Sequence, residues 1–219
     1  MMSSDAKERM LRRAAKDILS GMTVNLGIGL PTEVLQYVAP DMPVCLHSEN
    51  GIAGVGPSRS YDEADRNLID AGGAYVSRVA GTAFFDSAVS FSIVRSGRLD
   101  LTMLGAFEVA ANGDLANWII PGKFSPGMGG AIELAQKARQ VAVVMMHTDR
   151  KGNPKILPQC TLPLTAKGRV NRIYTDMALF DVRDGTLHLV EIADGVSLDE
   201  LKAATAADFT IPDHDLPVF

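Results

Sequence analysis

The sequence predicts an α/β fold: an open, mostly parallel sheet with helices on both faces, followed by a C-terminal antiparallel hairpin. Three observations predict it. Through the first two-thirds of the chain, short apolar stretches alternate with stretches of helical periodicity, the order in which parallel strands and crossover helices follow one another. Several of the strand candidates end in glycine turns. In the last third the alternation gives way to two extended runs around Asp184-Gly185, a two-residue hairpin signal.

Met10, Leu11, Ala14, Ala15, Ile18 and Leu19 recur at the spacing of one helical face, so residues 5–20 read as an amphipathic helix with Gly21 at its C-terminal cap. Residues 22–26 read as a strand that runs into Gly27-Ile28-Gly29. Pro31 suits the first turn of a helix over residues 32–38. Residues 43–47 form the next strand and end in Ser48-Glu49-Asn50-Gly51; residues 51–57, rich in glycine, read as a long turn. Helix at 63–71, strand at 75–79, helix at 86–94, buried strand at 99–104, helix at 131–139 and strand at 141–147 continue the alternation. The hairpin arms span 173–182 and 187–192. Ser197-Leu198-Asp199-Glu200 has the form of a capping box and opens a last helix through Ala206. No internal repeat and no Gly, Ser or Pro-rich linker interrupts the chain, so residues 1–219 read as a single domain.

Composition narrows the function. A chain of 219 residues holds one substantial α/β core and is short for two. With 47% hydrophobic and 21% charged residues it is neither disordered, collagenous nor a coiled coil. Twenty-one Lys plus Arg against 26 Asp plus Glu give a formal charge of -5, and no basic cluster breaks the acidic balance, so nucleic acid is not an expected partner. The longest apolar run, residues 141–146, falls far short of a bilayer span. The N-terminal stretch lacks an apolar leader segment. Cys45 and Cys160 stand far apart with no paired spacing, which fits a reducing compartment and removes a disulfide scaffold or a zinc ribbon. The expectation is a cytoplasmic protein without a membrane segment or a bound metal.

In open α/β sheets ligands bind beyond the carboxyl ends of the strands. None of the three glycine turns matches a dinucleotide fingerprint or a P-loop. Gly127-Met128-Gly129-Gly130 precedes a predicted helix, so its backbone N–H groups, those of Gly129 and Gly130 above all, are placed to hold a carboxylate, a phosphate or a developing oxyanion. Lys123 lies just upstream, where a cation could assist an anionic ligand; alone it reads better as a solvated surface lysine. Glu49 follows an apolar strand directly and precedes Gly51, Gly54, Gly56 and Pro57. From position alone a solvated turn carboxylate is the simpler reading. Held against a ligand, it would be an ionised nucleophile suited to acyl transfer. His47 and His147 both end strands and read first as structural histidines; Asp213-His214-Asp215 reads as a solvated tail rather than a metal tripod.

Ser48-Glu49-Asn50-Gly51 followed by Gly54-Val55-Gly56-Pro57 resembles the signature of the catalytic, B-type subunit of the family I coenzyme A transferases. Further blocks in the same order extend the resemblance over nearly the whole chain. They include Asn25-Leu26-Gly27-Ile28-Gly29-Leu30-Pro31, Gly113-Asp114-Leu115-Ala116-Asn117-Trp118, Ile120-Pro121-Gly122-Lys123, Gly127-Met128-Gly129-Gly130-Ala131 and Val170-Asn171-Arg172-Ile173. The resemblance is closest to B subunits of the succinyl-CoA:3-ketoacid and 3-oxoadipate types. It implies ping-pong transfer of CoA from an acyl-CoA to a 3-oxo acid, with Glu49 as the nucleophile that becomes a glutamyl-CoA thioester. Gly129 and Gly130 would then donate to the oxyanions, Lys123 would position a substrate, and Asn50 and Gly51 would shape the nucleophile turn. It further implies an A-type partner subunit in an A2B2 assembly, with CoA esters as substrates and no permanently bound cofactor. His47, where relatives commonly carry glutamine, Asp70, where asparagine is frequent, and Ser58 to Tyr61 depart from the pattern and bear on substrate choice. An acyl-CoA hydrolase and a non-catalytic ligand-sensing module on the same fold are the alternatives.

Overall fold

The computed structural model describes residues 4–123 and 127–219. In chain order the elements are α1 (Ser4–Ala15), β1 (Thr23–Leu26), α2 (Leu30–Glu33) with a tight 3-10 turn over Val34–Tyr37, β2 (Cys45–Ser48), β3 (Ile52–Ser58), β4 (Val76–Phe84) and α3 (Ser87–Arg95). There follow β5 (Leu101–Leu104), β6 (Glu108–Ala110), β7 (Leu115–Ala116), α4 (Ala131–Lys137), β8 (Gln140–Val144), β9 (Ile156–Leu157), β10 (Arg172–Tyr174), β11 (Ala178–Arg183), β12 (Thr186–Ile192), α5 (Leu198–Ala204) and β13 (Phe209–Thr210).

Ten strands form one sheet in the order β13-β12-β11-β10-β8-β5-β1-β2-β3-β4. Its centre, β10-β8-β5-β1-β2, is parallel, so the carboxyl ends of these strands share one edge. β3 and β4 extend it antiparallel on one side and β11 and β12 on the other. Alternation along β8 shows why helices cover both faces. Val141 and Val143 enter one apolar cluster with Val94 of α3, Leu134 of α4 and Leu201 of α5. Ala142 and Val144 enter the other with Met10, Leu11 and Ala14 of α1. The period-two side-chain direction of a strand thus divides a continuous apolar run between two cores. A small sheet, β7-β6-β9, adds Val109, Leu115 and Ile156 to the first cluster.

Two local signals hold in detail. Ser197 caps α5 reciprocally with Glu200, and Asp184 (φ 51°) and Gly185 (φ 72°) make the turn that joins β11 to β12, both in the left-handed region a type I′ hairpin requires.

Other expectations are corrected. The first helix stops at Ala15 rather than running to residue 20. Lys16, Asp17 and Ile18 donate to the carbonyls of Arg13, Ala14 and Ala15, three residues back, as a tightening last turn does. Gly21 therefore turns the chain into β1 instead of capping the helix. Residues 63–71 form turns, not a helix. Asp65 accepts from Asn67 N–H, and Asp70 accepts from Gly72 and Ala74 N–H, so these carboxylates supply the backbone with partners that a helix would have supplied. Residues 52–58 are a strand, not a turn; Gly54 sits at φ 84° where the register with β4 shifts. The C-terminal tail is docked: Phe219 N–H donates to Ile192 O, and Ile192 N–H donates to Pro217 O. Asp213, His214 and Asp215 are exposed, as expected of a solvated segment. Among the described residues no helix is long and apolar enough to cross a membrane.

Candidate active site

Glu49 stands just beyond the carboxyl end of β2, on the edge to which the parallel strands point. The turn that carries it is fastened at four places. Gly51 N–H closes it on Ser48 O at 3.0 Å, and Phe85 N–H donates to Gly51 O at 3.0 Å. Ser48 Oγ accepts from Ala71 N–H at 2.8 Å, and Asn50 Nδ2 donates to Ile69 O at 2.8 Å. Gly51 has φ 118°, and a Cβ there would lie 1.9 Å from Phe85 O, so no other residue fits without moving the chain.

The half-buried Glu49 carboxylate faces the start of α4. Gly130, which caps that helix, donates its N–H to Oε1 at 3.2 Å. A Cβ on Gly130 would lie 2.2 Å from Oε2, whereas one on Gly129 would lie 3.9 Å from Oε1. Glycine at 130 is therefore what lets the carboxylate and the helix start approach this closely. Burial raises the Glu49 pKa above the ordinary carboxylate value, and the Gly130 N–H opposes that only in part. The result is a carboxylate more basic than a free one, with lone pairs left over for an electrophile.

Of the residues singled out in the sequence, the structure brings together Glu49, Gly130 and Gly51, with Gly129 adjacent. Asn50 is turned away from the carboxylate toward Ile69 and acts as a clip. Lys123 lies in an exposed turn closed by its own N–H on Ile120 O, and among the described residues no hydrogen bond or ion pair joins it to Glu49. Sequence reasoning did not single out Asn25 or Ser90. Both are buried beneath the turn against His47, and the available signal was a polar side chain in an otherwise apolar strand or helix face. His147 is fully buried between Thr175 Oγ1 (3.0 Å) and Thr205 Oγ1 (2.9 Å), a structural position away from this turn.

Glu49 keeps part of its surface exposed in the chain. Two surface hollows, of about 210 and 470 Å³, are lined by residues around His188 and around Arg59, and Glu49 lines neither. Apolar side chains stand exposed on the segments that adjoin the turn and the start of α4. Ile69 (41%) carries the carbonyl that Asn50 clips, Phe84 (56%) precedes Phe85, and Met128 (37%) precedes Gly129.

A family model described as Coenzyme A transferase matches residues 7–204. A Bacillus subtilis protein named as the beta subunit of a probable coenzyme A transferase is 47% identical over 211 residues, which are 96% of this chain and 96% of that protein. A Helicobacter pylori protein named as the B subunit of succinyl-CoA:3-ketoacid coenzyme A transferase is 45% identical over 205 residues, 94% of this chain and 99% of that protein. In fold the chain is similar to the acyl-CoA transferase YdiF apoenzyme of Escherichia coli O157:H7, with a TM-score of 0.79 at 21% identity over 97% of this chain and 43% of that one. With the family model matched along most of its length, and relatives this similar end to end, the chain belongs to the coenzyme A transferase family.

Proposed function

We propose that this chain is the nucleophile-bearing B subunit of a transferase that moves CoA between succinyl-CoA and a 3-oxo acid, working with an A-type partner. One observation carries the reading: a carboxylate with raised pKa sits at the carboxyl edge of the sheet, with the Gly130 N–H as its donor on one oxygen and, among the described residues, no hydrogen-bond donor on the other.

The chemistry divides into balanced steps. Glu49 adds to the thioester carbonyl of the acyl-CoA, and collapse expels CoA thiolate to leave a mixed anhydride. The thiolate then adds to Cδ of Glu49, and collapse releases the acid as a free carboxylate and leaves glutamyl-CoA. An incoming carboxylate adds to the same carbon, expels thiolate and forms a second anhydride. Thiolate attack on its acyl carbonyl yields the new acyl-CoA and restores the Glu49 carboxylate. Whenever thiolate or acid adds at Cδ, negative charge grows on a glutamyl oxygen, and Oε1 already carries the Gly130 donor. A donor in place before charge develops lowers the barrier without reorganisation. Gly129 is the neighbouring residue on the same loop and the second candidate donor, and Lys123 would hold a substrate carboxylate near the mouth of the site.

Three features support the partner. Glu49 is only half-buried, exposed Ile69, Phe84 and Met128 lie on segments that adjoin its turn and the start of α4, and the Bacillus and Helicobacter relatives are named as subunits. A partner closing over this edge would exclude the water that otherwise hydrolyses an anhydride. An A2B2 assembly, a cytoplasmic setting and CoA esters as substrates, with no resident cofactor, complete the reading. The two free cysteines agree with a reducing compartment.

The test is a trap. The chain, co-purified with its A-type partner, is mixed with succinyl-CoA without acceptor, quenched with borohydride and digested for peptide mass spectrometry. Reduction of Glu49 that disappears when acceptor acid is supplied first is the expected result. Release of free CoA that ignores added acceptor would indicate a hydrolase. Bound CoA with Glu49 unmodified would leave the family's fold without its transfer chemistry.

A further inference from the structure

The proposed steps use Glu49 and Gly130 and leave unused a buried polar chain directly beneath the nucleophile turn. Asn25 on β1, His47 on β2, Ser90 on α3 and Thr102 on β5 meet there, all at most 4% exposed. Thr102 Oγ1 donates to Asn25 Oδ1 at 3.4 Å. Asn25 Nδ2 donates to the main-chain carbonyl of His47 at 3.1 Å and lies 3.5 Å from His47 Nδ1. His47 Nε2 meets Ser90 Oγ at 3.0 Å. An amide nitrogen can only donate, so Nδ1 accepts and the proton resides on Nε2, which donates to Ser90. An imidazolium would set two donors against each other at Nδ1. Consistently, burial pushes the His47 pKa down to about 4, and the ring stays neutral near pH 7.

We infer that His47 is a positioning residue for Glu49, locking the end of β2 to β1 through its carbonyl and to α3 through its ring, so that the carboxylate two residues on leaves the sheet aimed at Gly130. This rests on Glu49 being the nucleophile. The placement supports it in two ways. α3 and the residue pair before it touch the turn twice, through Phe85 N–H on Gly51 O and through Ser90 on His47. The Phe85 ring also stacks on the imidazole at 6.4 Å between centroids. A buried polar chain is costly to desolvate compared with apolar packing, and what it supplies in return is direction. Two bonds at one end of a strand fix its rotation, which apolar packing alone does not.

Variants of the assembled two-subunit enzyme test this. His47→Leu removes both ring contacts, and kcat is expected to fall about ten- to a hundredfold with the KM for succinyl-CoA within about twofold, the signature of a misaimed group rather than a lost binding contact. Ser90→Ala is expected to reduce kcat in the same manner, and the double variant is expected to fall no further than His47→Leu, because the bond that Ser90→Ala breaks is already broken in His47→Leu. His47→Gln, whose amide can donate to Ser90 and accept from Asn25, is expected to restore kcat to within about threefold of the parent. A lowered melting temperature with unchanged kcat in Ser90→Ala would overturn the inference, and so would failure of His47→Gln to rescue. Should His47→Leu fail to assemble, those two variants decide alone. Glu49→Gln separates the two readings. Turnover by that variant removes the nucleophile and the positioning role together, whereas an inert Glu49→Gln beside a fully active Ser90→Ala removes only the latter.

Discussion

Glu49 and Asp17 are both partly buried carboxylates, yet they titrate in opposite directions. Burial pushes both upward. At Asp17, Tyr174 Oη, Arg13 Nη1 and Arg172 Nη1 all donate, and together they hold the carboxyl below its ordinary value. The arginines are shared in turn: Arg13 reaches Glu191 at 2.6 Å and Arg172 reaches Asp181 at 2.6 Å, so α1 is bound to β10, β11 and β12. At Glu49, among the described residues, one backbone N–H donates at 3.2 Å and burial prevails. The number of donors, more than depth, decides the sign. A carboxylate surrounded by donors is committed to the fold, while one given a single donor keeps lone pairs for chemistry.

The largest test of this contrast is Glu49→Gln. It is expected to lower turnover by at least about a thousandfold, the scale on which a covalent nucleophile is lost, while the denaturant midpoint stays put. Normal turnover by a homogeneous preparation of this variant, checked by mass spectrometry for deamidation, would remove the chemical half of the comparison. Next in size is Gly130→Ala. Its Cβ would fall 2.2 Å from Oε2 and push the carboxylate off its donor, with an expected loss of about a hundredfold in kcat. Gly129→Ala meets only a 3.9 Å contact, though at φ 53°, and should cost less. Steady-state kinetics on the pair would show whether the donor is Gly130, as the geometry has it, or Gly129; a larger loss at Gly129 would reverse the assignment.

That distinction marks how far the sequence could be read. Glu49 at a strand end beside a glycine turn was legible because strand, turn and helix start are local features. So were the Asp184-Gly185 hairpin and the Ser197–Glu200 capping box, where a few consecutive residues determine the geometry. What escaped depends on distant partners. Gly54 and Gly56 look like turn residues until β4 is laid against them; a Cβ at Gly56 would be 2.6 Å from Ser77 Oγ. Residues 63–71 carry helical periodicity, but Asp65 and Asp70 bind the backbone first. β6, β7 and β9 are three residues or fewer, too short to show alternation. Which of two adjacent glycines faces Glu49, and that Asn25 and Ser90 lie beneath it, are set by packing between elements far apart in the chain.

On the structural side of the contrast, Asp17→Ala strands Arg13, Arg172 and Tyr174 around a vacated position. Asp17 keeps 25% of its side chain exposed, so the loss is expected near about 2 kcal/mol, below that of a fully buried pair. Urea unfolding measures it, and turnover per folded molecule should not change. A loss under about 0.5 kcal/mol, the scale of an exposed ion pair, would show that the remaining ion pairs hold α1 without Asp17.

The smallest expected effect is an acid loss of stability. Burial holds His47 and His147 down to about 4, against 6.5 for a free histidine. Between those values the unfolded chain binds protons that the folded chain refuses, so the histidines' contribution to stability falls as pH drops from 6.5 toward 4 and is flat well above 6.5. From about pH 7 to about pH 6 the loss is under about 1 kcal/mol for each histidine. Asp17 adds nothing in that interval, because its carboxyl is ionised in both states there. His147→Gln can still bond to Thr175 and Thr205, and it should remove about half of the slope in urea midpoints measured across that one unit. An undiminished slope would mean that His147 is protonated inside the fold, where its two threonine partners and its burial oppose the charge.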